Sequence, residues 1–110
     1  MSNLTWGTSG SPTTLSGLQA CVGPGWADIL ARLIPDLLAL GWDGSIHQVK
    51  EKYGTLRFYV GSASGAVFKR IDQAELESET TCEQCGQPGR LRGWDWVVTL
   101  CDKCDEDPNV

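Results

Sequence analysis

A small single-domain α+β fold is predicted by three observations. Trp26, Ile29, Leu30, Leu33, Leu37 and Leu38 recur at steps of three and four, the period of a helix with one buried face. Leu56, Phe58 and Val60 alternate with Thr55, Arg57 and Tyr59, the period of a half-buried strand. Two Cys-x-x-Cys pairs, Cys82/Cys85 and Cys101/Cys104, stand fifteen residues apart, a spacing at the edge of the range for metal-held ribbons. With 110 residues the chain can bury one core, and a second independent core is not expected.

Residues 1–22 are rich in Ser, Thr and Gly without a sustained apolar period, which predicts an irregular arm, loose or pinned by Leu4, Trp6, Leu15 and Leu18. Cys21 stands alone there and reads as a small reduced residue. Residues 23–80 are the expected helix-hairpin-helix core. Gly23-Pro24-Gly25 punctuates the chain, and the amphipathic helix follows. Pro35 removes a backbone donor and disfavours helical geometry at Ile34, so this helix either kinks or restarts there, and Gly41 is placed to end it. A hairpin is expected over SIHQVKEKYGTLRFYV, turning near Lys52 to Gly54. Val67 to about Ser78 predicts a second helix, with Val67, Ile71, Ala74 and also Phe68 as candidates for its inner face.

Residues 81–106 form the expected zinc ribbon packed on that core. A Cys-x-x-Cys turn aims two sulfurs at one point, and Gly86 lets the chain leave with positive φ while its amides face the thiolates. The spacer runs out and back, Leu91 on one arm and Trp96, Val98 and Leu100 alternating on the other. Four thiolates close a tetrahedral shell, which predicts structural Zn²⁺ on Cys82, Cys85, Cys101 and Cys104 rather than a catalytic ion with an open position. Iron would use the same four ligands. A thioredoxin-like redox pair needs one CxxC at a helix start in a βαβ setting, whereas both pairs here flank a hairpin. The five tryptophans, Trp6, Trp26, Trp42, Trp94 and Trp96, are expected to enrich the shared core or to mark a contact surface.

The net charge of −5 is unevenly spread. Residues 45–70 carry five cations and one anion, and residues 71–110 carry three and ten. An acidic chain repels the phosphate backbone, which argues against non-specific DNA binding as the main activity. The N-terminal stretch has neither a basic start nor an apolar run, and no apolar stretch is long enough for a bilayer, so a cytoplasmic protein without a membrane partner is expected. Thiols stay reduced there, which favours ligands over disulfides. The lone His47 and the solvated tail carboxylates offer no evident catalytic grouping, and GSASG lacks the lysine of a phosphate-binding loop, so no enzyme is expected.

QVKEKYGTLRFYV, followed by TCEQCGQPGRLR and TLCDKC, resembles a family of small uncharacterised bacterial and phage proteins. In that family a VKEK(F/Y)GxLRFY hairpin precedes a helix and a CxxCGxPG...CxxC zinc ribbon. The resemblance covers roughly residues 26 to 104 and implies the same four cysteine ligands. It brings no activity. It implies a phage or mobile-element protein, of the small acidic kind that binds and inhibits a host complex such as a defence system. The expected function is therefore a non-catalytic, zinc-stabilised module that binds a protein or nucleoprotein complex. Its expected contact residues are Lys50, Lys52, Arg57 and Tyr59 on the hairpin with Arg90, Arg92, Trp94 and Trp96 on the ribbon, since aromatic and Arg side chains anchor interfaces. The alternative is a nucleic-acid-binding zinc ribbon, with Lys50, Lys52, Arg57, Lys69, Arg70, Arg90 and Arg92 meeting phosphates and Tyr53, Tyr59, Trp94 and Trp96 stacking on bases.

Overall fold

A computed structural model describes residues 4–7 and 9–106. Its elements in order are β1 (Leu4–Trp6), β2 (Pro12–Thr13), α1 (Leu15–Gln19), a 3₁₀ turn (Pro24–Trp26), α2 (Ala27–Ala39), β3 (Ser45–Ile46), β4 (Gln48–Lys52), β5 (Thr55–Tyr59), α3 (Gly65–Ser78), β6 (Arg90–Arg92), β7 (Val98–Leu100) and α4 (Asp102–Glu106). The α+β fold with a C-terminal group of four cysteines is thus observed.

The predicted helical period becomes α2, whose Ile29, Leu30, Leu33, Ile34 and Leu37 are buried. Pro35 sits inside it on an exposed position, so the helix neither restarts nor ends there. Gly41, at φ 93°, follows its last turn. Strands β4 and β5 pair antiparallel from Gln48↔Tyr59 to Lys52↔Thr55, around a two-residue turn of Tyr53 and Gly54 with φ 54° and 78°. Two positive φ values in succession belong to a type I′ turn, which matches the strand twist. Helix α3 starts at Ser64, whose hydroxyl accepts from the Val67 amide, and buries Val67, Ile71 and Ala74. Phe68 is exposed, because it falls on the other side of that helix. Helix α3 also seals one edge of β5: the Leu56 amide donates to Ser78 Oγ and the Phe58 amide to a Glu75 carboxylate oxygen.

The expected irregular arm is ordered where described; residues 1–3 and 8 lie outside the described residues. Strand β1 pairs antiparallel with β2 and parallel with β3, the latter through Thr5↔Ser45 and Trp6↔Ile46. Leu4 and Leu18 enter the core, and Trp6 and Leu15 pack against it. A pairing of two residues, with partners forty residues away, leaves no local period to read. The tryptophans divide between the two expected roles: Trp26 and Trp42 are buried and Trp6 is packed on the core, whereas Trp94 and Trp96 are 92% and 79% exposed. Trp96 does not alternate with Val98 and Leu100 on a strand, because β7 begins only at Val98. No helix among the described residues is long and apolar enough to cross a membrane.

Candidate metal centre

The first knuckle, Cys82 to Cys85, is stitched to three other parts of the fold. Trp26 donates from Nε1 to the Thr81 carbonyl at 2.9 Å, and the Gly25 amide donates to the Glu83 carbonyl at 2.8 Å. The Glu83 amide donates to Thr99 O, and the Thr99 amide donates to Glu83 Oε2, both at 3.0 Å. Thr99 Oγ1 in turn donates to Gly54 O at the hairpin turn, at 2.6 Å. The ribbon is thereby held between the start of α2 and the tip of the β4–β5 hairpin.

Gly23 and Gly25 act here through their lack of a side chain. Neither has positive φ. A Cβ on Gly25 would fall onto the Cys82 carbonyl oxygen, and one on Gly23 onto that of Glu83. The Gly-Pro-Gly stretch, legible in the sequence only as punctuation, is therefore the seat of the knuckle. Two glycines around a turn that needs no positive φ are the signal of close backbone approach.

The four sulfurs of Cys82, Cys85, Cys101 and Cys104 lie within 4.8 Å of one another. Bonds of about 2.3 Å to a tetrahedral ion place sulfurs about 3.8 Å apart, so this separation suits a metal ion held by four thiolates. The Sγ atoms of Cys85 and Cys101 are 3.6 Å apart, too far for a disulfide bond of about 2.05 Å. All five cysteines are free thiols. Gly86, at φ 83°, reverses the chain after the first pair, with its amide on the Cys82 carbonyl. The Cys104 amide donates to Cys101 Sγ at 3.4 Å.

These thiols do not ionise alike. Burial pushes the Cys82 thiol up, but backbone amides of Cys101, Cys85 and Gln84 together outweigh it and bring it down to about 6. Cys104, beside Cys101 and with its burial and the other sulfurs acting the same way, is pushed up to about 12. Cys85 is raised as well: the Gln87 amide favours its thiolate, and burial and its Cys101 and Cys82 neighbours outweigh that amide. A spread of this size is what mutual repulsion produces when several acids share one small volume. A cation among the sulfurs would relieve that repulsion, and the four side chains are close enough together that they could hold one metal ion. Cys82 is buried and Cys85 exposed, so the site has a closed inner side and a rim open to solvent.

The structure brings part of the expected contact face together. Lys50 and Lys52 of β4 line a cleft of about 370 Å³ with Glu51, Tyr53 and the loop residues Asp95, Trp96 and Val97. Arg57 stands directly across from Lys50 on the same outward face of the hairpin, and Tyr59 across from Gln48. Lys50 Nζ lies 5.8 Å from the Tyr59 ring centroid, and Lys52 Nζ 5.6 Å from that of Tyr53. Trp94 is the most exposed large side chain of the same loop.

The ribbon arginines fall elsewhere. Arg92 donates from Nε to Leu100 O and from its two terminal nitrogens to Asp105 and Asp102. That makes it a brace for α4, and its paired acids ten and thirteen residues on gave no local sequence signal. Arg90 lines a separate hollow with Pro88, Gly89, Arg92, Cys101 and Asp102. Tyr53, one of the stacking candidates of the nucleic-acid alternative, is 68% exposed at the turn tip in a left-handed conformation that asparagine or glycine would adopt more easily.

No protein-family model, curated protein or solved structure matches the chain.

Proposed function

We propose that the chain is a non-catalytic interaction module in which one Zn²⁺ on Cys82, Cys85, Cys101 and Cys104 fixes the ribbon and, through it, a contact face. That face comprises Lys50, Lys52, Arg57, Tyr59 and Tyr53 on the hairpin and Trp94 and Trp96 on the ribbon loop. The observation that carries the reading is the exposure of Trp94 and Trp96 on a loop whose cleft is shared with Lys50 and Lys52. A bare indole in water is costly at about 25 cal/mol per Å², so two of them on one short loop favour a surface that is covered in use. Zinc is the ion chosen because four thiolates in a tetrahedral cage with backbone amides on the sulfurs match its structural sites. The filled shell supports a structural role. The family resemblance extends the proposal to a host complex, such as a defence system, inhibited by occupation of its surface.

The test is capture of partners from the host with wild-type protein and with Trp96→Ala and Lys50→Glu/Lys52→Glu variants. The expected result is one dominant partner, lost with either variant, at unchanged metal content and melting temperature. Equal capture by all three proteins refutes the face. A second reading has an observation of its own, since Tyr53, Trp96 and two lysines around one cleft also suit stacked bases and phosphates. Saturable, salt-dependent binding of labelled single strands would favour it, against the repulsion of the net charge.

A further inference from the structure

We infer that β4 is a docking strand: an acidic, extended segment of a partner protein pairs with its open edge. The inference rests on the interaction-module reading above and names how the partner is held. A two-residue turn closes on a hydrogen-bonded pair, here Lys52 and Thr55. Alternate residues then face alternate sides, so the backbone groups of Gln48, Lys50 and Lys52 face β5, and those of Val49 and Glu51 face away. The far edge of β5 agrees, since its Leu56 and Phe58 amides point to Ser78 and Glu75 of α3. Among the described residues, no hydrogen bond reaches the amide or carbonyl of Val49 or Glu51. One edge of the hairpin is therefore sealed by a helix and the other is open along the cleft that Trp96 walls.

Charge selects the occupant. Lys50, Lys52 and Arg57 have no ion-pair partner within 4 Å among the described residues, whereas Arg32 and Arg70 each have one and Arg92 has two. Lys50 and Arg57 face each other across the strands, an arrangement of like charges that costs stability. Arg57 Nε is buried without an acceptor. Glu75, which attracts Arg57, already accepts the Phe58 amide, and Glu51 accepts the Gly54 amide. Asp95, on the loop wall, is the one acid of the cleft without such a bond. A strand laid beside β4 with acidic side chains at alternate positions would set them next to Lys50 and Lys52 and supply the backbone partners that Val49 and Glu51 lack. Lysines on an edge also guard against unwanted pairing, and only an acidic strand converts that guard into an attraction.

The probe is a labelled peptide of alternating glutamate and valine, with two counterparts N-methylated at every second amide, one in each register. Alternate amides of a strand face opposite sides, so methylation in one register should weaken binding about tenfold or more and in the other leave it unchanged. Amide exchange supplies a second readout: Val49 and Glu51 exchange fast in the free protein and become protected in the complex, while Lys50 is protected in both. No saturable binding up to about 1 mM overturns the inference, as does equal binding of all three peptides. Protection of Val49 and Glu51 in the free protein that grows with its concentration overturns it in favour of a second copy as occupant. Stronger binding of an oligothymidylate that displaces the peptide overturns it in favour of nucleic acid. If Lys50→Glu/Lys52→Glu weakens every peptide while methylation does nothing, strand pairing falls and the contact face stands; if neither matters, both fall.

Discussion

The helical part of the molecule, up to α3, and the ribbon after it are joined by a tight seam yet folded by different means. Sixteen buried hydrophobic residues, from Leu4 to Ala74, form one cluster in the first part. In residues 81–106 only Cys82 and Thr99 are buried. Burial of a large apolar side chain contributes about 1.5–3 kcal/mol, so the first part has a driving force of its own. A ribbon with two three-residue strands and no apolar interior does not, and a cation among four thiolates would supply what is missing. The difference separates two roles: the core carries stability, and a bound metal would carry the shape of the exposed loop that the core cannot reach.

The comparison can be broken most forcefully from the core side. Trp26→Ala removes a fully buried indole and its bond to Thr81, and is expected to cost about 3–5 kcal/mol, with both parts lost in one transition followed by circular dichroism in urea. Ribbon structure that outlasts the core in that titration would contradict the ranking. At the seam, Gly25→Ala forces the 3₁₀ turn and the knuckle apart at about 2–3 kcal/mol. Amide exchange should then rise across residues 81–106 more than in α2 and α3. Within the ribbon, Arg92→Ala removes the ion pairs that tie Asp102 and Asp105 of α4 to β6, and should be read as fraying of that helix with the four-cysteine site intact.

The smallest effect is a pH dependence placed in the core. Burial holds the Glu75 carboxyl above its ordinary range, against the Phe58 amide and Arg57, which favour its charge. A raised value in the folded state means that the fold holds this proton more tightly than the unfolded chain does. Its contribution to stability is present below the unfolded value, about 4.5, and is lost as pH rises through the folded one. Glu75→Gln keeps an oxygen for the Phe58 amide and no longer titrates. The stability of wild type relative to Glu75→Gln should therefore fall as pH rises above about 4.5, a difference in which the shared protonation of the cysteines cancels. A flat difference would place Glu75 in an environment like water.

Much of this was legible where the signal is local. The alternation around Leu56 and Phe58, the three-four spacing of α2 and the two Cys-x-x-Cys pairs each carry their period or spacing within a few residues. What escaped depends on contacts between distant segments. Strand β1 is defined by β3, Gly25 by the Cys82 carbonyl, and Arg92 by acids on a helix beyond the next strand. Trp96 was read as a strand residue because its spacing to Val98 fits, yet Gly93 at φ 89° turns the chain early and leaves it on the loop. The open edge of β4 is likewise invisible until α3 is seen to take the other one.

The division of labour is tested most directly by removing the metal. Elemental analysis of the purified protein should find one zinc per chain. After chelation verified by the same analysis, amide signals of residues 81–106 should collapse to unfolded positions while those of α2, α3 and the β4–β5 hairpin persist. A metal-free protein with an intact ribbon, or one that loses α2 and α3 together with the ribbon, would contradict the account.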